Sequence, residues 1–476
     1  MLLKDLLVGV SYEGNADVEI TNIVSDSRKV CPGSVFVCIK GYETDGHLYA
    51  ANAAEKGAAV IIAEEKIEVD CPLVTVEDSR NIMALLCARF YDNPSKKFTL
   101  IGITGTNGKT TTTYLIKNML EKAGKKVGLI GTNQNMIGDK IIETSRTTPD
   151  SFELQALFAR MADENADAVV MEVSSHALYL DRVAYCDFDI GVFTNLTQDH
   201  LDFHKTMENY ADAKAILFKM CKKGVVNIDD MYAQRILNGA TSQILTVSTQ
   251  KESDLFAKDI VLGEKEVEFN IDGQSYSLGI PGKFSVYNAL SAIGVCKALG
   301  IQDDIIVKGL KTAEGVRGRA QVVDLGLDAT FIIDYAHTPD GVENILNTVR
   351  GFAKGRVVVL FGCGGDRDNK KRPIMGEIAD RLADFCIVTS DNPRTENPTE
   401  IINQILAGMK GSHHVVIENR YEAIEYAVKN SKPGDVVVLA GKGHETYQTI
   451  GKQNFPFDEE KILFEIKQRM EGAEKC

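Results

Sequence analysis

The sequence predicts an α/β protein of three domains resting on mainly parallel sheets, and three observations predict it. Strand-like apolar runs alternate with amphipathic helices and end in polar or Gly-rich loops, as in "RVVVLFGCGGDRD" and "DVVVLAGKGHETYQ". Such strand–loop–helix repetition builds parallel sheets covered by helices. The 476 residues exceed one domain and fit about three. "LIGITGTNGKTTTTYLIKNML", residues 100–120, sets a Gly-rich turn between a strand and a helix.

The first domain is expected over 1–97, closed by the linker Asp92-Asn93-Pro94-Ser95. The second covers 98–316 and the third 317–476, where four strand-like runs each end in a polar loop. In parallel sheets ligands sit at the carboxyl ends of the strands, so those loops should converge. A net charge of −14 leaves no basic face for general nucleic-acid binding. There is no apolar run of about eighteen residues, so no membrane span is expected, and the N-terminus lacks a signal-peptide pattern. Ten scattered cysteines without a C-x-x-C pair fit reduced thiols in a cytoplasmic protein and imply no zinc. A monomer is the expectation.

The Gly-rich turn carries the first chemistry. Residues 98–103 read as a short buried strand and 114–122 as a helix with Leu115, Met119 and Leu120 at helical spacing. Between them, Gly105 and Gly108 let backbone N–H groups turn inward. The helix N-terminus adds partial positive charge, and Lys109 can reach the outer phosphates of a nucleotide. Thr110 or Thr111 offers a hydroxyl to Mg²⁺. The pattern G-x-x-x-x-G-K-[ST] wants Gly at 103, where Ile103 stands, with Gly102 one place early. The bland alternative is a strand–turn–helix with threonine caps; G-x-x-G-K-T-T in this context favours a phosphate loop.

Further along, "ADAVVMEVSSHAL" puts Glu172 at the end of an apolar strand. There it either holds Mg²⁺ or faces solvent. "FTNLTQDHLDFH" follows a strand expected over 187–194 and offers Asp199, His200, Asp202 and His204. In "TMENYADAKAILFKMCKKG", Tyr210, Leu217, Phe218 and Cys221 form an apolar helical stripe with Lys214 in its middle. A charged Lys there suffers a large desolvation cost unless paired. It either snorkels to the surface or carries a modified amine. A carbamate would add negative charge and oxygen ligands suited to a second Mg²⁺.

Taken in order, "GTNGKTT", "MEVSSHAL", "NLTQDHLDFH", "ADAK", "YNALSAIG", "DYAHTPDG" and "GKGHE" resemble the Mur ligases. "DSRKVCPGSVFVCIKG" and "DNPRTENP" resemble the members that add the third residue of the peptidoglycan stem peptide. The resemblance covers nearly the whole chain. It implies a UDP-binding domain, a central P-loop ATPase and a C-terminal Rossmann-like domain. The implied substrates are ATP, UDP-N-acetylmuramoyl-L-Ala-D-Glu and meso-diaminopimelate, with two Mg²⁺ ions.

The same resemblance implies the site. Gly105, Thr106, Asn107, Gly108, Lys109, Thr110, Thr111, Asn288, Arg319 and Asp334, with His337 nearby, match ATP contacts. Ser27, Arg28, Tyr42, Glu43, Thr44, Thr147, Thr148, Ser174 and Arg182 match contacts to the UDP-muramoyl-dipeptide. Lys214 matches the family's carbamylated lysine (N6-carboxylysine). It would share one Mg²⁺ with His200, while Glu172 and Thr110 share the other. Leu180 stands where some members have Gln, and Gln321 departs from G-R-x-E. The implied reaction activates the D-Glu γ-carboxylate as an acyl phosphate, which the incoming amine attacks, releasing ADP and phosphate.

"SDNPRTENP" bears on the acceptor. It follows a strand expected over 385–389, and Pro393 and Pro398 stiffen it. Arg394 offers a planar fork that fits a carboxylate. The far end of meso-diaminopimelate carries a carboxylate and an ammonium; that of L-lysine, the alternative acceptor, carries only an ammonium, which Arg repels. Asp391 and Asn392 can receive an ammonium. Arg367, Gly441 and Glu445 match other acceptor contacts in the diaminopimelate-adding members.

Rival classes account for less of the chain. Folylpolyglutamate synthetase shares the ATPase core but leaves "DSRKVCPGSVF" and D-N-P-R unexplained. A P-loop switch protein wants N-K-x-D, which is absent. A dinucleotide oxidoreductase fails at "LFGCGGDRD", where Arg367 takes the last Gly position. A non-catalytic binding module does not call for Lys109, Glu172, His200 and Lys214 together.

Overall fold

The structure, a computed structural model, describes residues 1–41, 44–142, 146–263 and 266–473. It is an α/β protein with one mainly parallel sheet in each of three regions. The N-terminal sheet runs Glu13–Gly14, Leu73–Thr75, Val60–Ala63, Ser34–Val37, Asn22–Val24, with only the first pairing antiparallel. Helix Ser79–Phe90, capped by the Asp78 side chain, backs this sheet. Through Phe90 and Tyr91 it also touches Phe152 of helix Ser151–Asp163.

Nine strands form the central sheet. Their order is Leu255–Phe256, Gln243–Ser248, Lys223–Asn227, Ile190–Phe193, Thr99–Thr104, Ala168–Glu172, Val127–Ile130, Asn135–Ile137, Lys140–Ile142. The pairings are parallel as far as Val127–Ile130, and the last two are antiparallel. Thr99–Thr104 lies between Ile190–Phe193 and Ala168–Glu172. Strands covered by helices on both faces read as unbroken apolar runs, and these are almost wholly buried. The carboxyl ends of the three strands lie side by side. They bring the Gly105 loop, Glu172 and the segment after Phe193 to one crevice, as the strand order requires.

In the C-terminal sheet the order is Gln321–Val323, Thr330–Asp334, Val436–Ala440, Val357–Phe361, Phe385–Val388, His414–Val416, parallel but for the first pair. Its four polar loops leave from carboxyl ends and meet, as the sequence leads one to expect.

Three features differ from the sequence reading. The helix after the phosphate loop begins at Lys109, not 114. Threonines are indifferent helix formers, but Thr110, Thr111, Thr112 and Thr113 are all buried, and packing against helix Lys283–Ala298 overrides propensity. A separate antiparallel sheet, Lys258–Leu262, Val267–Ile271 and Gln274–Leu278, lies within the stretch read as alternating strands and helices. Its alternating burial and the Asp272-Gly273 turn, both at positive φ, mark a hairpin. Finally, the strand read over 187–194 is shorter, Ile190–Phe193, and at its start the Asp189 carboxylate accepts from the Leu100 N–H.

Candidate active site

The phosphate loop is set by steric fit. Gly108 sits at φ +85°, and a Cβ there would overlap the Asn288 amide oxygen. No side chain caps the helix that begins at Lys109, so its first N–H groups face the cavity. Lys109 curls over the loop, donating to the carbonyls of Gly105 (3.0 Å) and Thr106 (2.9 Å). Thr106 is tied by its hydroxyl to the Thr197 carbonyl and to Tyr210. Asn107 donates to Asp340 at 2.6 Å and so joins the loop to the C-terminal region.

Beside the loop is a cavity of about 370 Å³. Gly108, Thr110, Thr111, Asn288, Arg319 and Asp334 line it, as do Tyr287, Phe284, Ile280, Asn227 and Asp340, which sequence reasoning did not single out. Asp340 and Tyr287 do lie within two of the quoted motifs; Phe284 and Asn227 carry no local signal. Asp334 accepts from the N–H groups of Ala320 and Ala336, and burial raises its proton affinity. His337 lies beside the cavity-lining Ala336, with Nδ1 on the Tyr335 carbonyl, and burial pushes its imidazole down to about 4.

Glu172 is the buried hub. Its carboxylate accepts from the Thr110 hydroxyl (3.0 Å), the Thr132 N–H (2.8 Å) and the Thr132 hydroxyl (3.0 Å). The solvent-facing alternative is therefore excluded: Glu172 is 1% exposed. Arg319 donates to the same Thr110 hydroxyl at 3.1 Å and stacks over Tyr335. Oxygen donors on a phosphate loop suit a hard cation such as Mg²⁺. Among the described residues no group of three His, Cys, Asp or Glu side chains is arranged to hold a metal. A site here needs water and phosphate oxygens to complete its shell, which is how Mg²⁺ is usually held.

Lys214 does not snorkel. It is 1% exposed, donates to the Gly105 carbonyl at 2.8 Å and lies over the Tyr210 ring. Burial, and then the charge of Lys109, hold its amine well below the usual lysine range. A buried ammonium costs several kcal/mol, whereas one neutral hydrogen bond returns about 1. The neutral amine is therefore favoured over the ammonium. His200, at φ +54°, packs against His176 and meets Tyr210 edge to face. Of the other residues in that cluster, His204 is buried, bonds Ser175 and stacks on Tyr210, and Asp202 faces solvent. Asp199 stays with His200, 3.4 Å from its Nε2.

Four of the muramoyl-dipeptide candidates meet next to Glu172. Thr148 donates to the Glu172 carbonyl and bonds Ser174, Arg182 donates to the Thr148 carbonyl, and Thr147 touches Thr132. Ser27, Arg28 and Thr44 lie instead on the N-terminal region. Arg28 is exposed and forks onto Asp26, whose carboxyl it holds down to about 2. Tyr42 and Glu43 lie outside the described residues.

The acceptor candidates gather in the C-terminal loops. Asn392 donates to Glu445 at 2.8 Å, and its amide oxygen accepts from Lys442 and from the Thr449 N–H. That oxygen already holds two donors, which leaves Asp391 as the neighbour with an open oxygen. Asp391 is buried, with Oδ2 lacking a hydrogen bond, and a Cβ on Gly441 would come within 2.7 Å of it. Behind it the fully buried Arg420 binds Glu459 at 2.8 Å. Arg394 sits at φ +50°, a strained conformation for a non-glycine, held between Thr449 and Gly451. Its guanidinium donates to the Gly365 carbonyl at 2.6 Å. Arg367 is exposed at the rim. Lys442 and Arg420 were not singled out in sequence, although Lys442 lies in "GKGHE".

Known proteins match this arrangement along its length. The Mur ligase middle-domain family matches residues 103–296, the Mur ligase glutamate-ligase domain 318–443, and the Mur ligase family catalytic domain 19–91. A Clostridium acetobutylicum protein described as UDP-N-acetylmuramoyl-L-alanyl-D-glutamate–2,6-diaminopimelate ligase 1 is 50% identical over 98% of this chain and 99% of its own. A Caldanaerobacter subterraneus relative of the same description is 51% identical over 98% and 99%. A solved structure of a ligase so described superposes with a TM-score of 0.70 at 32% identity, covering 99% of each chain. Within the described residues no helix is long and apolar enough to cross a membrane. With all three of its domains matched and half its residues shared with full-length relatives, this chain belongs to the Mur ligase family.

Proposed function

We propose that this chain is an ATP-dependent, ADP-forming ligase that adds meso-diaminopimelate to UDP-N-acetylmuramoyl-L-Ala-D-Glu. The carrying observation is a continuous polar path from Glu172 through Thr110 to Arg319, which joins the phosphate loop to the C-terminal region. Full-length relatives bearing that description support the reading.

Phosphoryl transfer between two anions calls for charge neutralisation and alignment more than for covalent catalysis. Lys109 and the free helix N–H groups would take the β- and γ-phosphates. Asn288 and Asp334 would frame the nucleotide, and Arg319 would leave Thr110 for the transferred phosphate. Thr147, Thr148, Ser174 and Arg182 would present the γ-carboxylate beside Glu172. Thr110 and Glu172 would hold one Mg²⁺; His200 and a carbamate on Lys214 would hold a second. Bound Mg²⁺ would neutralise the phosphate oxygens as charge develops. At the far end Arg394 would fork onto the distal carboxylate and Asp391 would take the ammonium. The three domains acting as a monomer would close off water.

ADP release is measured with ATP, Mg²⁺ and the UDP-dipeptide, adding meso-diaminopimelate or L-lysine in parallel. Turnover with meso-diaminopimelate alone is expected. Preference for lysine would keep the ligase and remove the role given to Arg394. Silence with both would remove the reading.

A further inference from the structure

One charged group at the crevice has no place in that description. Lys371 opens helix Lys371–Leu382 and its side chain is only 7% exposed. The nearest carboxylate oxygen is Oδ1 of Asp199 at 3.7 Å, an ion pair too long for a hydrogen bond. Among the described residues the ammonium donates no hydrogen bond. An ammonium carries three donors, and here the described residues take none of them, so they are left to whatever enters the crevice.

The helix start breaks a local rule as well. Lys370, Lys371 and Arg372 are three successive cations where the helix dipole is already positive, and no acid lies in the first turn. Cations there are ordinarily unfavourable. Two of the three are accounted for: Lys370 points to solvent, and Arg372 forks onto Glu396 and bonds Gln404. Lys371 turns inward like Arg372 but, unlike it, without a hydrogen-bond partner among the described residues. Where a chain breaks a local rule without internal compensation, a functional cause is the usual one.

Its target is fixed by what Asp199 touches. The other Asp199 oxygen lies 3.4 Å from His200 Nε2 and 3.8 Å from His337 Nε2. The Lys371 ammonium therefore sits on the phosphate side of the crevice. Arg394, Asp391 and Glu445 belong to the separate acceptor recess.

Building on the proposed ligase reading, we infer that Lys371 is a further catalytic residue: it binds non-bridging oxygens of the phosphoryl group as that group moves from ATP to the substrate carboxylate. In the first step a carboxylate oxygen bonds the γ-phosphorus, the bond from that phosphorus to the ADP oxygen breaks, and ADP leaves with the pair. In the second step the acceptor nitrogen bonds the acyl carbon, the carbon–oxygen bond to phosphate breaks, and inorganic phosphate leaves with that pair. The amine proton passes to solvent. Lys371 donates N–H bonds throughout and neither gains nor loses a proton. Because it comes from the C-terminal region, its charge reaches the phosphoryl group only when that region is docked on the phosphate loop.

The test compares the parent chain with Lys371→Met, Lys371→Arg and, as a control, the exposed Lys370→Met. ADP formation is followed with ATP, Mg²⁺, the UDP-dipeptide and meso-diaminopimelate, and ADP affinity is measured by equilibrium dialysis. Lys371→Met should lower kcat at least about 100-fold, the scale for losing one group that stabilises transition-state charge. KM for both substrates should stay within about threefold, and ADP affinity should be unchanged, since the lost contact is made in the transition state and to the γ-phosphate. Lys371→Arg should recover about a tenth of the activity or more, and Lys370→Met should match the parent. A Met variant with near-parental kcat overturns the assignment. So does a raised KM for the UDP-dipeptide with kcat kept, which places the ammonium on a substrate carboxylate instead, and so does lost ADP affinity, which makes the residue structural. A parent chain that forms no ADP overturns the ligase reading along with this one.

Discussion

Thr110 and Glu172 meet at 3.0 Å, hydroxyl to carboxylate, and that bond ties the phosphate loop to the end of the neighbouring strand. The Thr110 oxygen also accepts from Arg319, so three parts of the chain far apart in sequence share one atom. In the proposed mechanism that oxygen faces Mg²⁺ and Arg319 turns to the phosphate.

Replacing the carboxylate tests this junction. Glu172→Gln should keep the fold, since the amide oxygen can still accept from Thr132, but should lower kcat by about 10²–10³. ADP affinity without Mg²⁺ should change little. Steady-state rates over a range of Mg²⁺ concentration check it: the variant should call for more metal.

Arg394 should set acceptor choice. Arg394→Ala should lower kcat/KM for meso-diaminopimelate about 100-fold, on the order of 2.7 kcal/mol for a charge-assisted pair, with KM for ATP unchanged. Activity with L-lysine should not fall. Parallel kinetics with the two acceptors give the answer.

Lys214 should take up carbon dioxide at neutral pH. Its amine is held low first by burial and then by Lys109, so the uncharged, nucleophilic form is present without alkaline conditions. With ¹³C-labelled bicarbonate, a carbamate signal should be present at about pH 7 and grow toward about pH 8, because carbamates form from the free amine. Lys214→Met should lack it.

Stability should fall on mild acidification. Burial lowers the His204 imidazole from 6.5 to about 4. Between those values the unfolded chain binds the proton and the folded chain does not. Stability is therefore complete above about 6.5 and is lost as pH falls toward 4. Thermal unfolding across that range should show a falling midpoint, and His204→Gln should flatten the slope.

Much of this was legible in the sequence, for physical reasons. Buried parallel strands such as 436–440 are continuous apolar runs, and a Gly-rich turn before a helix has few other uses. Lys214 stood out because an ammonium in an apolar stripe needs an explanation. What stayed hidden depends on tertiary contact. Asp340 reaches Asn107 across more than two hundred residues, and no local pattern reveals such a pair. Lys371 reads as one cation among three until burial separates it from Lys370 and the lack of a hydrogen-bonded partner separates it from Arg372. Asn392 looked like a free acceptor because the sequence does not show Lys442 and Thr449 already on its oxygen. The hairpin at Asp272-Gly273 is legible as well, since Asp-Gly between alternating strands is a recognised turn signal.

The central claim is that ATP activates a carboxylate on this chain, and oxygen transfer tests it most directly. UDP-N-acetylmuramoyl-L-Ala-D-Glu is prepared with ¹⁸O in the γ-carboxylate, and the phosphate released during turnover with meso-diaminopimelate is analysed by mass spectrometry. If an acyl phosphate forms, one carboxylate oxygen leaves with each phosphate, and the label should appear there once per turnover. Phosphate without label would mean that water attacks ATP, and would contradict the account.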